Sequence, residues 1–171
     1  MPDGLVISSE SMNKASNVAV PNPELEKRRA FFTKFWEEFI RELDFDVPGQ
    51  NIPIPSIHQN LFVYPGGDKN SSWISAYFSQ SSKRVGVYFR CGNNQNGIQI
   101  AEKIFSHKEE IIAELGDEVF WPSEFPDTDG FGVRFPLNDV YSEENREAIK
   151  DYFKQWLNAF VNVVRPIIKG K

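Results

Sequence analysis

From Phe31 onward the apolar positions fall on one side of a helix. Phe31, Phe32, Phe35, Trp36, Phe39, Ile40 and Leu43 recur at helical spacing, with Lys27, Lys34, Glu37, Glu38 and Arg41 on the other side. Asn22 suits the N-cap, Pro23 the first helical position, and Glu24 and Glu26 the positive end of the helix dipole. Pro48-Gly49 stops any continuation, and Pro48, Pro53 and Pro55 enforce an extended connector. The period then shortens to two. Residues 60–64, 72–79 and 84–91 read as three short strands, joined by turns at Pro65-Gly66-Gly67-Asp68 and at 80–83, which predicts an antiparallel meander.

A second helix is expected over 96–115, with Ala101, Ile104, Phe105, Ile111, Ile112 and Leu115 facing inward and Gly116 closing it. Two short strands follow near 119–121 and 131–135, separated by the loop 122–130. The last helix starts from Ser142 as N-cap and buries Ile149, Tyr152, Phe153, Trp156, Leu157, Phe160, Val161 and Val164, and Pro166 should end or kink it. Residues 1–21 show no apolar period and read as a mobile lead-in, with a short ordered piece around Leu5 to Ile7. Residues 169–171 read as a tail. That leaves 22–168 as one α+β domain, order α-βββ-α-ββ-α, in which three helices pack on an antiparallel sheet of about five strands.

Composition sharpens this picture in a few places. The 171 residues include 15 Phe, 5 Tyr and 4 Trp, so the core should be strongly driven. A net charge of −5 argues against a generic binder of nucleic acid or anionic membrane, while leaving room for a local basic patch. The single cysteine, Cys91, cannot form an internal disulfide and has no metal-ligand spacing around it, which fits a reducing compartment. No run approaches the ~18 apolar residues of a membrane span, and the N-terminus lacks a basic-then-apolar pattern. The expectation is a cytoplasmic protein with no membrane role.

Several segments together resemble a known family. They are Phe32-Thr-Lys-Phe-Trp-Glu-Glu-Phe39, a strand opening with Trp73, Val85-Gly-Val-Tyr-Phe-Arg90, Lys108-Glu-Glu-Ile-Ile-Ala-Glu-Leu-Gly116 leading to Trp121, and Trp156 to Pro166. In order and spacing, from about Glu24 to Pro166, the chain resembles the bacterial family catalogued as domain-of-unknown-function 4268. The resemblance implies a module of the kind that sits behind a nuclease-like part in longer bacterial proteins, some near restriction or defence functions. This chain departs from that layout, because no Asp-x-Lys or Glu-x-Lys follows Pro126-Asp127 to complete a nuclease site. The resemblance therefore supplies no catalytic residues.

The remaining chemistry-bearing residues read as structural. His58 and His107 have no Asp, Ser or Cys partner at a motif spacing. Glu109-Glu110 and Glu143-Glu144 suit solvated helix positions and first turns. Asp127-Thr-Asp-Gly130 lacks the acidic twelfth position of a calcium loop, where Asn138 stands. Gly92 to Gly97 lacks the Lys-Ser/Thr ending of a phosphate loop. No catalytic residue, metal ligand or cofactor is assigned.

The central hairpin stands apart. Alternation puts Ile74, Ala76 and Phe78 with Val85, Val87 and Phe89 on a core face. The other face carries Trp73, Ser75 and Tyr77 with Arg84, Gly86, Tyr88 and Arg90, and Trp121 and Arg134 are candidates to join it. Aromatic rings beside guanidinium groups suit planar or anionic ligands, and also protein interfaces. The bland alternative is that a helix or the 122–130 loop covers this face and Arg90 pairs with a carboxylate. The leading expectation is a noncatalytic binding or interaction module for a protein partner or a small, nucleotide-like ligand, with Trp73, Tyr77, Arg84, Tyr88, Arg90, Trp121 and Arg134 as its contact residues. An accessory subunit in nucleic-acid processing or phage defence, by family analogy only, is the second reading, and an enzyme with an unrecognised site the third.

Overall fold

The computed structural model describes residues 22–170. The expected lead-in over 1–21, with its ordered piece around Leu5, lies outside the described residues. The first helix, α1 (Pro23–Glu42), begins as its sequence dictates. The Asn22 side chain accepts hydrogen bonds from the backbone N–H groups of Glu24 and Leu25, and Pro23 opens the first turn. Its inward face carries Phe32, Phe35, Trp36 and Phe39, all buried. The proline-bearing connector leads from there to the sheet, and the Trp36 indole N–H donates to the His58 carbonyl at 2.8 Å, tying the end of the connector to the helix.

Four strands among the described residues form one sheet in the order β1 (Asn60–Val63), β2 (Ser72–Ser79), β3 (Arg84–Cys91) and β4 (Phe131–Pro136), antiparallel throughout. Gly67 takes a left-handed φ of 84° in the first turn, and Lys83 one of 50° in the second. The register sets Ile74 opposite Phe89, Ala76 opposite Val87 and Phe78 opposite Val85, and extends that face to Leu61, Val63, Phe131 and Val133. All of these are buried.

The helices gather on this side. From α1, Phe35 meets Phe78 at 5.0 Å between ring centroids. From the last helix, α4 (Arg146–Ile168), Phe153 meets Phe78 at 5.5 Å and Phe160 meets Phe131 at 4.9 Å. Between β3 and β4 run α2 (Gln95–Ser106) and α3 (Lys108–Leu115), with Ala101, Ile104 and Ile111 in the same core. The result is α+β with helices on one face of an antiparallel sheet, four strands and four helices among the described residues.

At one edge of the helical layer α1 and α4 share a polar seam. Glu38 pairs with Arg146. Glu42 pairs with Lys150 at 2.9 Å and Lys154 at 2.7 Å. Beyond the end of α1, Asp46 accepts from Asn158 at 2.7 Å and Asn162 at 3.1 Å. Partners advance together along both segments, so the two helices run in the same direction with one contact per turn. Lys150 is buried, and its ammonium is held by Glu42 and Glu147, with its pKa raised chiefly by the Glu42 bond against the opposing effect of burial.

Four details differ from the sequence expectations. The helix expected over 96–115 breaks at His107. There the Ser106 hydroxyl donates to the Lys103 carbonyl at 2.6 Å and His107 Nδ1 lies 2.9 Å from the same oxygen, so side chains compete with the helical ladder. The strand expected near 119–121 is a single bridge between Phe120 and Gly132, which reduces the sheet from about five strands to four. The last helix opens with a 3-10 turn, Glu143–Asn145, capped by Ser142. Of the two outcomes expected at Pro166, an end or a kink, the end does not occur there, since α4 continues to Ile168 with the proline in its last turn.

Candidate functional site

Alternation that sends one set of side chains into the core must send the other set away from it. Among the described residues no helix packs on that second face. Its cross-strand rows follow from the register. Trp73 pairs with Arg90. Next come Phe62, Ser75, Tyr88 and Gly132, with Phe120 beyond Gly132. Then come Asn60, Tyr77, Gly86 and Arg134, and last Ser79, Arg84 and Pro136. Successive rows lie about 7 Å apart along the strands.

Two glycines shape the surface. A Cβ at Gly86 would come within 2.6 Å of the Tyr77 hydroxyl and 2.6 Å of the Val133 carbonyl oxygen. A Cβ at Gly132 would come within 2.6 Å of the Tyr88 ring. Each tyrosine therefore lies across the glycine opposite it on the neighbouring strand. Larger residues there would lift the rings off the sheet.

Around these rings the cations are placed by contact with them. Arg134 sits with its guanidinium carbon 3.9 Å from the Phe120 centroid, Phe120 is 5.6 Å from Tyr88, and Arg90 is 5.5 Å from the Tyr88 centroid. Arg90 also reaches Asp129 at 2.6 Å. Burial raises the pKa of the Tyr88 phenol, opposed by Arg90, so the group stays a neutral hydrogen-bonding hydroxyl. Arg84 has a buried Nε without a hydrogen-bond partner, and neither Arg84 nor Arg134 is in an ion pair among the described residues. At the Trp73 end the face opens into a shallow recess of about 570 Å³, lined by Phe62, Tyr64, Lys69, Asn70, Trp73 and Asn93.

Six of the seven residues singled out from the sequence therefore share the face: Trp73, Tyr77, Arg84, Tyr88, Arg90 and Arg134. Trp121 does not. Its ring packs on Phe131 at 4.7 Å and Phe105 at 6.2 Å, on the helical side of the sheet, with a buried indole N–H that has no partner. The physical reason is parity. The bridge from Phe120 to Gly132 turns Phe120 outward, and its neighbours Val119 and Trp121 must then turn inward. Phe120 and Phe62 were missed. Phe120 sits between two inward residues in a segment too short to show its own period. Phe62 stands in the uniformly apolar run Leu61-Phe62-Val63, where no polar position marks the outer side.

The 122–130 loop contributes only a rim. Asp129 ties it to Arg90, and the Asp129 N–H donates to Asp127 Oδ1 at 2.9 Å, which makes Asp127 to Gly130 a polar turn. The Cys91 thiol is buried, and burial pushes its pKa up to about 12. Among the described residues no three of His, Cys, Asp and Glu gather as a metal site, and no helix is long and apolar enough to cross a membrane.

Compared with known proteins, the chain matches one family model, described as Domain of unknown function (DUF4268), over residues 28–168. No curated protein and no solved structure matches it.

Proposed function

We propose that this chain, which belongs to the DUF4268 family, is a noncatalytic binding module whose working surface is the outer face of its sheet. One observation carries the reading. On the side of β2 and β3 away from the helices, Tyr77 and Tyr88 lie across glycines, Arg134 stacks on Phe120, and no helix among the described residues covers them. Apolar surface rimmed by polar groups is the pattern that marks interaction sites. Partly exposed rings with guanidinium groups against them offer stacking area and oriented donors together. The aromatic-arginine combination is the one that dominates binding energy where proteins meet partners.

The bland alternative explains part of this, since Arg90 does pair with Asp129. It leaves Arg84 and Arg134 unexplained, because neither meets a carboxylate among the described residues. The test is recovery of bound partner or ligand from an extract of the source cell, with wild type, Tyr88→Ala and Arg90→Ala compared. The reading expects both substitutions to deplete whatever the wild type retains while thermal unfolding stays close to wild type. Equal recovery by all three proteins contradicts it.

A further inference from the structure

The distribution of charge on the outer face is the reverse of that in the whole chain. The protein carries 24 acidic and 19 basic residues. Yet at the outward positions of the four strands the only charged residues are Arg84, Arg90 and Arg134. The one carboxylate that reaches them, Asp129, comes from the loop and engages Arg90 alone. An acidic protein has thus kept carboxylates off the outward strand positions of this sheet and placed Phe62, Trp73, Tyr77 and Tyr88 among them.

We infer that this face takes single-stranded nucleic acid, bases stacked on the rings and phosphates held by the arginines. The inference rests on the reading above that the outer face is the binding surface. It follows from three geometric facts. First, the rings alternate between the two central strands. Trp73 and Tyr77 on β2 bracket Tyr88 on β3 in consecutive rows, about 7 Å from row to row. A strand laid along the hairpin meets one ring in each of these three rows, whereas a duplex presents its bases edge-on and offers no ring face to stack.

Second, the rings are set low. Tyr77 reaches across Gly86 and Tyr88 across Gly132, so close that a Cβ at either glycine would meet ring atoms within 2.7 Å, and the rings are seated against the backbone of the neighbouring strand. Third, the arginines flank the rings. Arg134 is held against Phe120, its guanidinium carbon 3.9 Å from the ring centroid, and is in no ion pair among the described residues. Carboxylate-poor, cation-flanked aromatics are complementary to a ligand that alternates flat neutral bases with anionic phosphates. A protein partner would need no such exclusion of carboxylates, and the recess at Trp73, with Asn70, Asn93 and Lys69 on its wall, adds amide groups and a cation within reach of a base edge or phosphate.

The test is fluorescence anisotropy of the full chain with labelled oligothymidylate, oligouridylate and a DNA duplex of equal length, at low and raised salt. Binding of a single strand, DNA or RNA, is expected to exceed that of the duplex and to weaken as salt rises. Which of the two strands binds more tightly identifies the natural source. Tyr88→Ala should weaken binding by roughly tenfold or more, and Tyr88→Phe, which keeps the ring, should restore it. Arg134→Ala should weaken binding and reduce the slope of log affinity against log salt by about 0.7. No binding of either single strand at low salt, equal binding of the duplex, or wild-type affinity in Tyr88→Ala overturns the inference. If the oligonucleotides fail while Tyr88→Ala still loses what wild type recovers from extract, the occupant is a protein or small ligand and only this inference falls. If Tyr88→Ala changes neither experiment, the face itself is not the binding surface.

Discussion

The guanidinium of Arg134 lies 3.9 Å from the ring centre of Phe120, while the next residue, Trp121, packs on Phe131 at 4.7 Å through the opposite side of the sheet. Two adjacent aromatics thus do different work. Phe120→Ala should leave the fold standing and cut binding at the outer face, because Arg134 loses the surface that orients it. Trp121→Ala should do the reverse, costing about 3 kcal/mol of stability through the cavity it leaves beside Phe131. Chemical denaturation and binding measured on both variants separate the two roles.

The close approach at Gly86 gives a second prediction. Gly86→Ala sets a methyl against the Val133 carbonyl oxygen as well as the Tyr77 phenol. The phenol can swing away, but the neighbouring strand cannot do so without disturbing the β3–β4 ladder. The substitution should cost about 1–3 kcal/mol, read as a lowered denaturation midpoint. It should also weaken binding at the face beyond what the stability loss explains, since Tyr77 no longer lies down.

The α1–α4 seam makes stability depend on acid. The Glu42 carboxyl is held at about 2 by its hydrogen bonds from Lys154 and Lys150, against the opposing effect of burial, compared with an ordinary value of 4.5. A carboxyl with a depressed folded-state pKa contributes stability that is fully present above its unfolded value and disappears as pH falls. The midpoint of urea unfolding should therefore drop as pH is lowered from 4.5 toward about 2. In Glu42→Gln that part of the profile should be flatter, and the variant should be less stable than wild type at neutral pH.

Cys91 ends β3 in the core, and burial pushes its thiol up to about 12. A thiol kept protonated and covered is a poor nucleophile. It should resist alkylation by iodoacetamide in the native protein at neutral to mildly alkaline pH and react at the rate of a free thiol once the chain is unfolded, followed by mass spectrometry.

Where the sequence is legible, the reason is a strong local period. Ser72–Ser79 and Arg84–Cys91 emerge at their true bounds because hydrophobic alternation, flanking turn residues and aromatic content agree over eight residues each. The cap at Asn22 and the aromatic stripe of α1 are equally local. The misreadings occur where a distant partner decides. Nothing in Glu-Val-Phe-Trp-Pro says which residue faces outward until Gly132 bridges to Phe120. The break at His107 depends on two side chains competing for one carbonyl, which apolar spacing does not register. The outer face was readable as a mixture of rings and arginines. The close seating of its tyrosines was not, because that depends on each one meeting a glycine on the neighbouring strand.

The claim on which the rest depends is that contact with a partner or ligand occurs on the side of the sheet away from the helices. Photo-crosslinking in living cells tests it most directly, with p-benzoylphenylalanine replacing Phe62, an outward residue 40% exposed, or Leu25, 44% exposed on α1. A discrete adduct is expected on irradiation from position 62 and none from position 25. Adducts from position 25 alone, or the same pattern from both, would contradict it.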